Sequence, residues 1–353
     1  MKCLGIETSC DETSLAILEG KTCLHEALHT QIPAHAVFGG VVPEIASREH
    51  LRLLDALARE VDEDLLHSID LIAVTRGPGL LGALLVGIAY AKALALSLDV
   101  PIIGVHHLHA HLLACELTGE DIVYPAIGLL VSGGHTHIYL MRSAIDFTVL
   151  GKTLDDAAGE AFDKVAKLLN LPYPGGKYID ILAADGNILK NTLPRPYIHN
   201  DNCDFSFSGL KTAVAQFVQT HNIQPLPYDA FDPATVPNSI KDVCATLNTT
   251  IAETLCIKTA RAIQAHPEVR SFCVAGGVAA NAQVRAHCAR LAHTHGLKFF
   301  VPSQSYCGDN GAMVAYTGTQ VARYGYTSAL DFEAIPRGRH VPADYIVNHF
   351  FKE

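Results

Sequence analysis

The sequence predicts a layered α/β protein of two related lobes facing each other across a central cleft. Three observations predict it. At 353 residues the chain is long for one core and suits two lobes of roughly 120 to 180 residues. Apolar strand-like runs, glycine-bearing turns and helical segments alternate along it, as in a layered α/β lobe. Finally, Gly5 to Leu18 (GIETSCDETSLAIL) lies over Gly128 to Met141 (GLLVSGGHTHIYLM) at an offset of 123 without a gap, aligning Gly5 with Gly128, Ser9 with Ser132 and Thr13 with Thr136. Each copy reads as an apolar strand, a tight polar turn and a second apolar strand, so each half opens on a hairpin whose turn exposes backbone N–H groups and small hydroxyls.

After the first hairpin, a helix is expected from Pro43 to about Glu60, with proline in its first turn and its charge mostly on one side. The strand Leu71–Val74 ends in Thr75-Arg76-Gly77-Pro78-Gly79, a turn that opens a long helix over Leu80–Leu98. Strand Ile102–Val105 feeds a histidine-rich segment, and Thr118 to Pro125 reads as the boundary between lobes. In the second half, helices are expected over Asp155–Leu169, after the turn Pro172–Gly176 as far as Ala184, and from Phe205–Lys211 to about Thr220. His221 to Pro237, with four prolines, reads as a surface loop. A long helix over Asn238–Ala265, the strand Phe272–Ala275, the turn Gly276-Gly277 and a helix from about Ala279 to His295 follow. Cys307 to Gly311 opens a last helix to about Tyr324, before an irregular tail.

Composition narrows the function. Hydrophobic residues make up 49% of the chain, yet no run of about 18 is free of polar or charged residues, which speaks against a membrane span. The most apolar stretch, Leu80–Leu98, carries Lys92 and suits a buried helix better. The start, Met1-Lys2-Cys3-Leu4, runs straight into a strand without an apolar signal core. A cytoplasmic location is therefore expected. The ten cysteines contain no CxxC pair and read as reduced, core-filling thiols. A net charge of −10 argues against generic nucleic-acid binding, which needs clustered Lys and Arg. Any nucleic-acid partner therefore needs a local patch or help from another protein.

The most informative stretch is Val105 to Ala114, VHHLHAHLLA. On a helix advancing about 100° per residue, His107 and His111 lie one turn apart on one face and both reach a single ion, while His109 points about 200° away. Two neutral imidazoles bind a divalent transition metal, and a stable site wants at least one more donor from elsewhere in the chain. A histidine-rich helix start also forms by capping and solvating itself, so context has to decide. His25, His29, His35, His50 and His293 read as surface or satisfied core histidines. The turns at Ser9–Thr13, Ser132–Thr136 and Gly276-Gly277 follow apolar strands, and their N–H groups make anion-binding nests that suit a nucleotide. The chain lacks both GxxxxGK[ST] and GxGxxG, which disfavours P-loop and Rossmann sites.

Taken in order, GIETSCDETSLAI, GGVVPEIASREH, VTRGPGLLGALLVG, VHHLHAHLLA, LLVSGGHTHIYL, DDAAGEAFDKVAKLL, YPGG, FSFSGLKTA, AGGVAAN and YCGDNGAMVAY resemble the tRNA threonylcarbamoyladenosine transferase family, bacterial TsaD type. That family lies within the superfamily of actin, Hsp70 chaperones and sugar kinases. The resemblance covers about residues 1 to 325, with Lys177 standing where the family more often has proline. It implies an N-terminal lobe over 1–120 with helix 309–325 packing back onto it, a C-terminal lobe over 121–308, and a tail over 326–353. It implies His107, His111 and Asp309 as metal ligands, with Fe2+ preferred over Zn2+. Leu130, Val131, Ser132, Gly133 and Gly134 match the loop over the phosphate side of the substrate. Asp163, Gly176 and Asp180 match positions near the ribose, and Asn281 the one that reads adenine. Asp11, Glu12 and His135, in the two facing turns, take catalytic or orienting roles.

The implied reaction moves threonylcarbamoyl from threonylcarbamoyl-AMP to the N6 amine of an adenosine beside the tRNA anticodon. The implied partners are tRNA, a paralogous non-catalytic subunit (TsaB type) and a small ATPase (TsaE type). The alternatives are a metallopeptidase, weakened by the missing HExxH glutamate, and a kinase or ATPase of the same superfamily, for which a histidine-bound transition metal is a poor match.

Overall fold

A computed structural model describes residues 1–117, 119–227 and 231–348. Thr118, at the start of the expected inter-lobe boundary, and the end of the tail lie outside the described residues. The chain forms two compact units, Met1–Glu120 with Pro302–Glu353, and Asp121–Val301. The stretch 302–308 falls with the first of them.

The first unit starts with strands β1 (Lys2–Glu7), β2 (Glu12–Glu19) and β3 (Thr22–Thr30). A short helix α1 (Ile32–Ala36), the amphipathic α2 (Pro43–Ala58) and a single turn α3 (Glu63–His67) follow. Then come β4 (Leu71–Gly77), α4 (Leu81–Leu98), β5 (Ile102–His106) and α5 (His107–Leu113). The sheet order is β3-β2-β1-β4-β5, with β1, β4 and β5 parallel and β1-β2-β3 antiparallel. Strand β4 is buried at every residue, as a parallel strand covered on both faces requires. Leu4, Ile6, Leu15, Ile17 and Val74 pack with Leu54 of α2 and Leu84 and Ile88 of α4 into one core. Helix α4 is long and apolar enough to cross a membrane by length and composition. Here its Ala83, Leu84, Gly87, Ile88, Ala91 and Ala95 are buried, while Leu81, Leu85 and Leu96 stay exposed.

The second unit repeats the plan. Strands β6 (Ala126–Val131), β7 (Thr136–Met141) and β8 (Phe147–Lys152) lead to α6 (Ala158–Leu168), α7 (Gly175–Ala183), α8 (Ser208–Thr220) and α9 (Asn238–Ala265). Next come β9 (Ser271–Ala275), α10 (Ala282–Thr294) and β10 (Lys298–Phe300). The sheet order, β10-β9-β6-β7-β8, is that of the first sheet read from its other edge. Even the register repeats: Gly5 pairs with Ala16 and Gly128 with Tyr139, the same positions in the gapless overlay. The sequence repeat is therefore the same hairpin built twice. Both sheets add an antiparallel edge strand, β3 and β8, that the sequence reading does not include. Only Ala27 of β3 and Gly151 of β8 are buried, so neither strand carries an apolar alternation to find.

Asp155 was expected to open the α6 helix, but α6 starts at Ala158. The Asp155 carboxylate instead accepts hydrogen bonds from the Phe207 and Ser208 backbone N–H (2.8 and 3.2 Å) and from the hydroxyls of Ser206 and Ser208, capping α8 from outside. Burial tends to raise its pKa, but these hydrogen bonds win and hold it below the usual carboxylate range. Asp155→Ala is expected to cost about 1 kcal/mol at neutral pH, the usual worth of a helix cap. Because the folded pKa is depressed, that contribution is present above the unfolded value of about 3.9 and is lost as pH falls through the folded one. Denaturant midpoints of wild type and variant should differ at pH 7 and converge in acid.

The last helix, α11 (Gly311–Arg323), belongs to the first unit and packs on β1, β2 and β4. Within it, Tyr316 donates to the buried Glu116 carboxylate at 2.6 Å. Tyr316→Phe removes a hydrogen bond to a charged group and is expected to lower unfolding stability by about 1.5 to 3 kcal/mol, read from denaturant melts. The tail is less irregular than its sequence. Strands β11 (Tyr326–Thr327) and β12 (Ile346–Val347) pair, Lys92 donates to the Phe332 carbonyl at 2.6 Å, and Arg76 pairs with Asp344.

Candidate active site

In the first unit, β5 runs directly into α5. His106 caps the helix by accepting from the Leu108 N–H, and its ring stacks on His109 at 3.8 Å. His109 is thereby turned away, and burial with the neighbouring His340 pushes its pKa down to about 3. His107 and His111 stand one turn apart, their rings edge-on at 4.7 Å, and both are buried. Asp309 sits just before α11, whose cap Asn310 accepts from the Met313 N–H at 2.8 Å. Its Oδ1 lies 2.9 Å from His111 Nε2 and 3.7 Å from His107 Nε2.

The ligand atoms of His107, His111 and Asp309 all lie within 4.8 Å of one another. Ligands about 2.0 to 2.2 Å from one ion are at most about 4.4 Å apart, so a slight contraction brings all three onto a single metal. Two imidazole nitrogens and one carboxylate suit iron or zinc and leave coordination positions open.

The electrostatics also call for a cation. Glu12, the first residue of β2, is half-buried within electrostatic reach of Asp309, and Asp11 of the β1–β2 turn, also half-buried, hydrogen-bonds to it. Burial, then Asp309, then Asp11 push the Glu12 carboxyl well above the usual range. Burial opposes charge on His107 too, but Glu7 and Asp309 overcome it and raise its pKa to about 9. Glu7 is a residue the sequence reading does not single out. It is a fully buried carboxylate that directly follows the apolar run Cys3–Ile6, and that mismatch is the signal that could have found it.

The remaining site residues lie in the second unit. Leu130 and Val131 end β6, and Ser132, Gly133 and Gly134 form the turn to His135. The Ser132 N–H donates to the His135 carbonyl (2.8 Å), and the His135 N–H to Ser132 Oγ (3.1 Å), which fixes the turn. Two glycines press against it. A Cβ on Gly159 would lie 2.6 Å from the Ser132 carbonyl oxygen, and one on Gly276 (φ +93°) 2.4 Å from that of Val131. The start of α6 and the turn after β9 therefore meet at the Val131–Gly133 segment.

Asp163 Oδ1 accepts from the Gly175 N–H at 2.7 Å, holding the α7 start where Gly176 sits. Lys177 is exposed at the third residue of that helix, which forms without the family's usual proline. Asp180 and Asn281 are joined through Asn248. Asp180 accepts from Asn248 (3.0 Å) and from the Ala282 N–H (3.0 Å), Asn281 donates to Asn248 (2.8 Å), and Asn281 Oδ1 caps α10 at the Val284 N–H. The sequence reading does not include Asn248, which lies fully buried inside α9 but within the polar run Asn248-Thr249-Thr250 and so carries no local signal. His35 and His50 are satisfied core histidines: His50 bonds Thr13 Oγ1 at 2.8 Å and the Cys10 carbonyl at 2.9 Å.

A family model described as TsaD, tRNA N6-adenosine threonylcarbamoyltransferase, matches residues 22–316. Proteins named tRNA N6-adenosine threonylcarbamoyltransferase from Nitratidesulfovibrio vulgaris and Maridesulfovibrio salexigens are 54% and 51% identical. They match over 98% of this chain and 98% and 99% of their own length. Among solved structures, the activator of the 2-hydroxyisocaproyl-CoA dehydratase from Clostridium difficile superposes with a TM-score of 0.50 at 14% identity, over 92% of this chain and 96% of its own. HypF from T. kodakarensis gives 0.55 at 15% identity, over 92% of this chain and 48% of its own. These neighbours bear out the expected α/β fold class.

Proposed function

This chain belongs to the TsaD family of tRNA N6-adenosine threonylcarbamoyltransferases, and from that premise we propose that it carries threonylcarbamoyl from threonylcarbamoyl-AMP to the N6 amine of the adenosine beside the anticodon in tRNAs reading codons that begin with A. The observation that carries the proposal is the His107, His111 and Asp309 trio, with all its ligand atoms within 4.8 Å. These three would hold one divalent ion, Fe2+ in preference to Zn2+. When bound, such an ion supplies Lewis acidity that polarises the carbamoyl carbonyl for attack.

The chain's own residues do the rest. The N6 amine forms its bond to the carbamoyl carbon, the bond from that carbon to the AMP phosphate oxygen breaks, and AMP leaves. Glu12 takes the amine proton. Burial, Asp309 and Asp11 raise its carboxyl above the usual range, which favours keeping a proton once taken. Asp11 and His135 orient the reacting groups. The Leu130–Gly134 loop faces the phosphate, and the space beside the Gly133 Cα leaves room for it. The Asp180–Asn248–Asn281 chain and the Gly176 turn receive the nucleoside, with Asp163 holding the turn. An aryl amine is a weak nucleophile, so positioning contributes more than base strength.

A net charge of −10 supports tRNA binding shared with a TsaB-type paralogue and a TsaE-type ATPase. Exposed Leu51 of α2 and Leu81, Leu85 and Leu96 of α4 offer the paralogue an apolar face. The domain reading of an N-terminal lobe over 1–120 with helix 309–325, a second lobe over 121–308 and a tail belongs to the same proposal, as does action in the cytoplasm, where a tRNA acceptor is met. The test is anaerobic add-back of Fe2+ or Zn2+ to chelator-stripped protein with tRNA and partners. Transfer restored best by Fe2+ supports the reading, and transfer undiminished by stripping contradicts it.

A further inference from the structure

We propose that Glu7 is a positioning residue that fixes the hydrogen of His107 on Nδ1 and so aims a bare Nε2 at the metal. The proposal rests on the metal reading above. Glu7 closes β1 and is fully buried. Its Oε1 accepts from the Ser9 N–H at 2.6 Å, and its Oε2 accepts from the Thr75 hydroxyl of β4. The same Oε2 lies 3.2 Å from His107 Nδ1, on the side of the ring away from Asp309. A buried carboxylate facing an imidazole nitrogen needs a hydrogen between them, because two lone pairs would repel in a low-dielectric site. Ser9 Oγ, 3.3 Å from Nδ1, accepts a share of that hydrogen. Nδ1 is thus the N–H end, and Nε2, facing Asp309 at 3.7 Å, is the ligating end.

This is the arrangement in which an outer carboxylate orients a metal-bound histidine. His111 has no equivalent: its Nδ1 is buried without a hydrogen-bond partner among the described residues, and its Nε2 faces Asp309. Of the two histidine ligands, His107 is the one braced from behind, by a strand that also holds the turn with Asp11 and Glu12.

Glu7→Gln gives the test its sharpness because it keeps the shape and breaks the polarity. The amide must turn its oxygen to the Ser9 N–H, which leaves its NH2 toward Thr75 and His107. A donor facing Nδ1 drives the ring hydrogen to Nε2, where it blocks the metal. In 15N-histidine-labelled, Zn2+-loaded wild type, the His107 Nδ1 should carry the hydrogen and Nε2 the metal shift. Co2+ titration followed by its visible absorption should show an affinity about 10- to 100-fold weaker in Glu7→Gln, with Glu7→Asp recovering part of it. A merely structural role would move the unfolding midpoint but not the Co2+ affinity of the folded fraction. Equal Co2+ affinity in wild type and Glu7→Gln overturns the proposal, as does wild-type His107 coordinated through Nδ1, a result that needs no variant. A wild type that takes up neither Zn2+ nor Co2+ overturns the metal reading itself, and with it this role for Glu7.

Discussion

His111→Ala is expected to lower transfer about 1,000-fold or more while leaving a folded protein. In the proposed metal site the residue gives one of two nitrogen ligands, and its Nε2 faces Asp309 at 2.9 Å. Lewis-acid activation of a carbonyl contributes several kcal/mol, and about 4 kcal/mol is about a 1,000-fold change in rate. Losing one of three ligands removes that contribution and the means of retaining the ion. The single-turnover rate with saturating tRNA reads it, and metal content measured on the same sample ties the loss to the ligand. A variant that keeps its metal and its rate would remove the trio from the mechanism. Asp309→Ala should match His111→Ala, since Asp309 touches both histidines.

Gly5→Ala is expected to be the most destabilising single methyl in the first unit. A Cβ there would lie 2.1 Å from the Gly311 carbonyl oxygen and 2.4 Å from the Ala315 nitrogen, both backbone atoms of α11. Flexible side-chain ends give way cheaply, but helix backbone does not, so α11 has to move off β1. The Gly311 N–H also donates to Ser14 Oγ of β2 at 2.9 Å, and that bond is lost with the contact. We expect about 3 kcal/mol or more, at the upper end of overpacking costs, measured as the denaturant midpoint. The functional consequence is larger than the stability loss alone. Asp309 lies two residues before α11, so displacing the helix draws Asp309 from His111. Metal affinity should fall although no ligand has been changed. Retained affinity in a destabilised Gly5→Ala protein would mean that Asp309 is placed by its own loop.

The sequence carries more of this site than of its framework. The His107 and His111 spacing reads directly, because a helix turn is a local property and α5 starts at His107 itself. The hairpin repeat reads as well, since Gly5 and Gly128 hold the same register in both sheets. What the sequence hides is pairing between distant segments. Strand β3 is mostly exposed and shows no alternation, and β8 is the same kind of edge. Asp155 sits beside the apolar pattern of α6 and reads as part of that helix, while its hydrogen bonds go to a segment about fifty residues away. Glu7 and Asn248 belong to a third kind. Each is a polar residue that the fold buries completely, with partners that only the folded chain brings together.

The most direct test of the central claim is transfer of labelled threonine from threonylcarbamoyl-AMP to tRNA by metal-replete protein, with and without the TsaB- and TsaE-type partners. The account predicts label on the N6 of the adenosine beside the anticodon, dependent on the partners and absent with His111→Ala. No incorporation by folded, metal-loaded protein with its cognate partners and tRNA would contradict it.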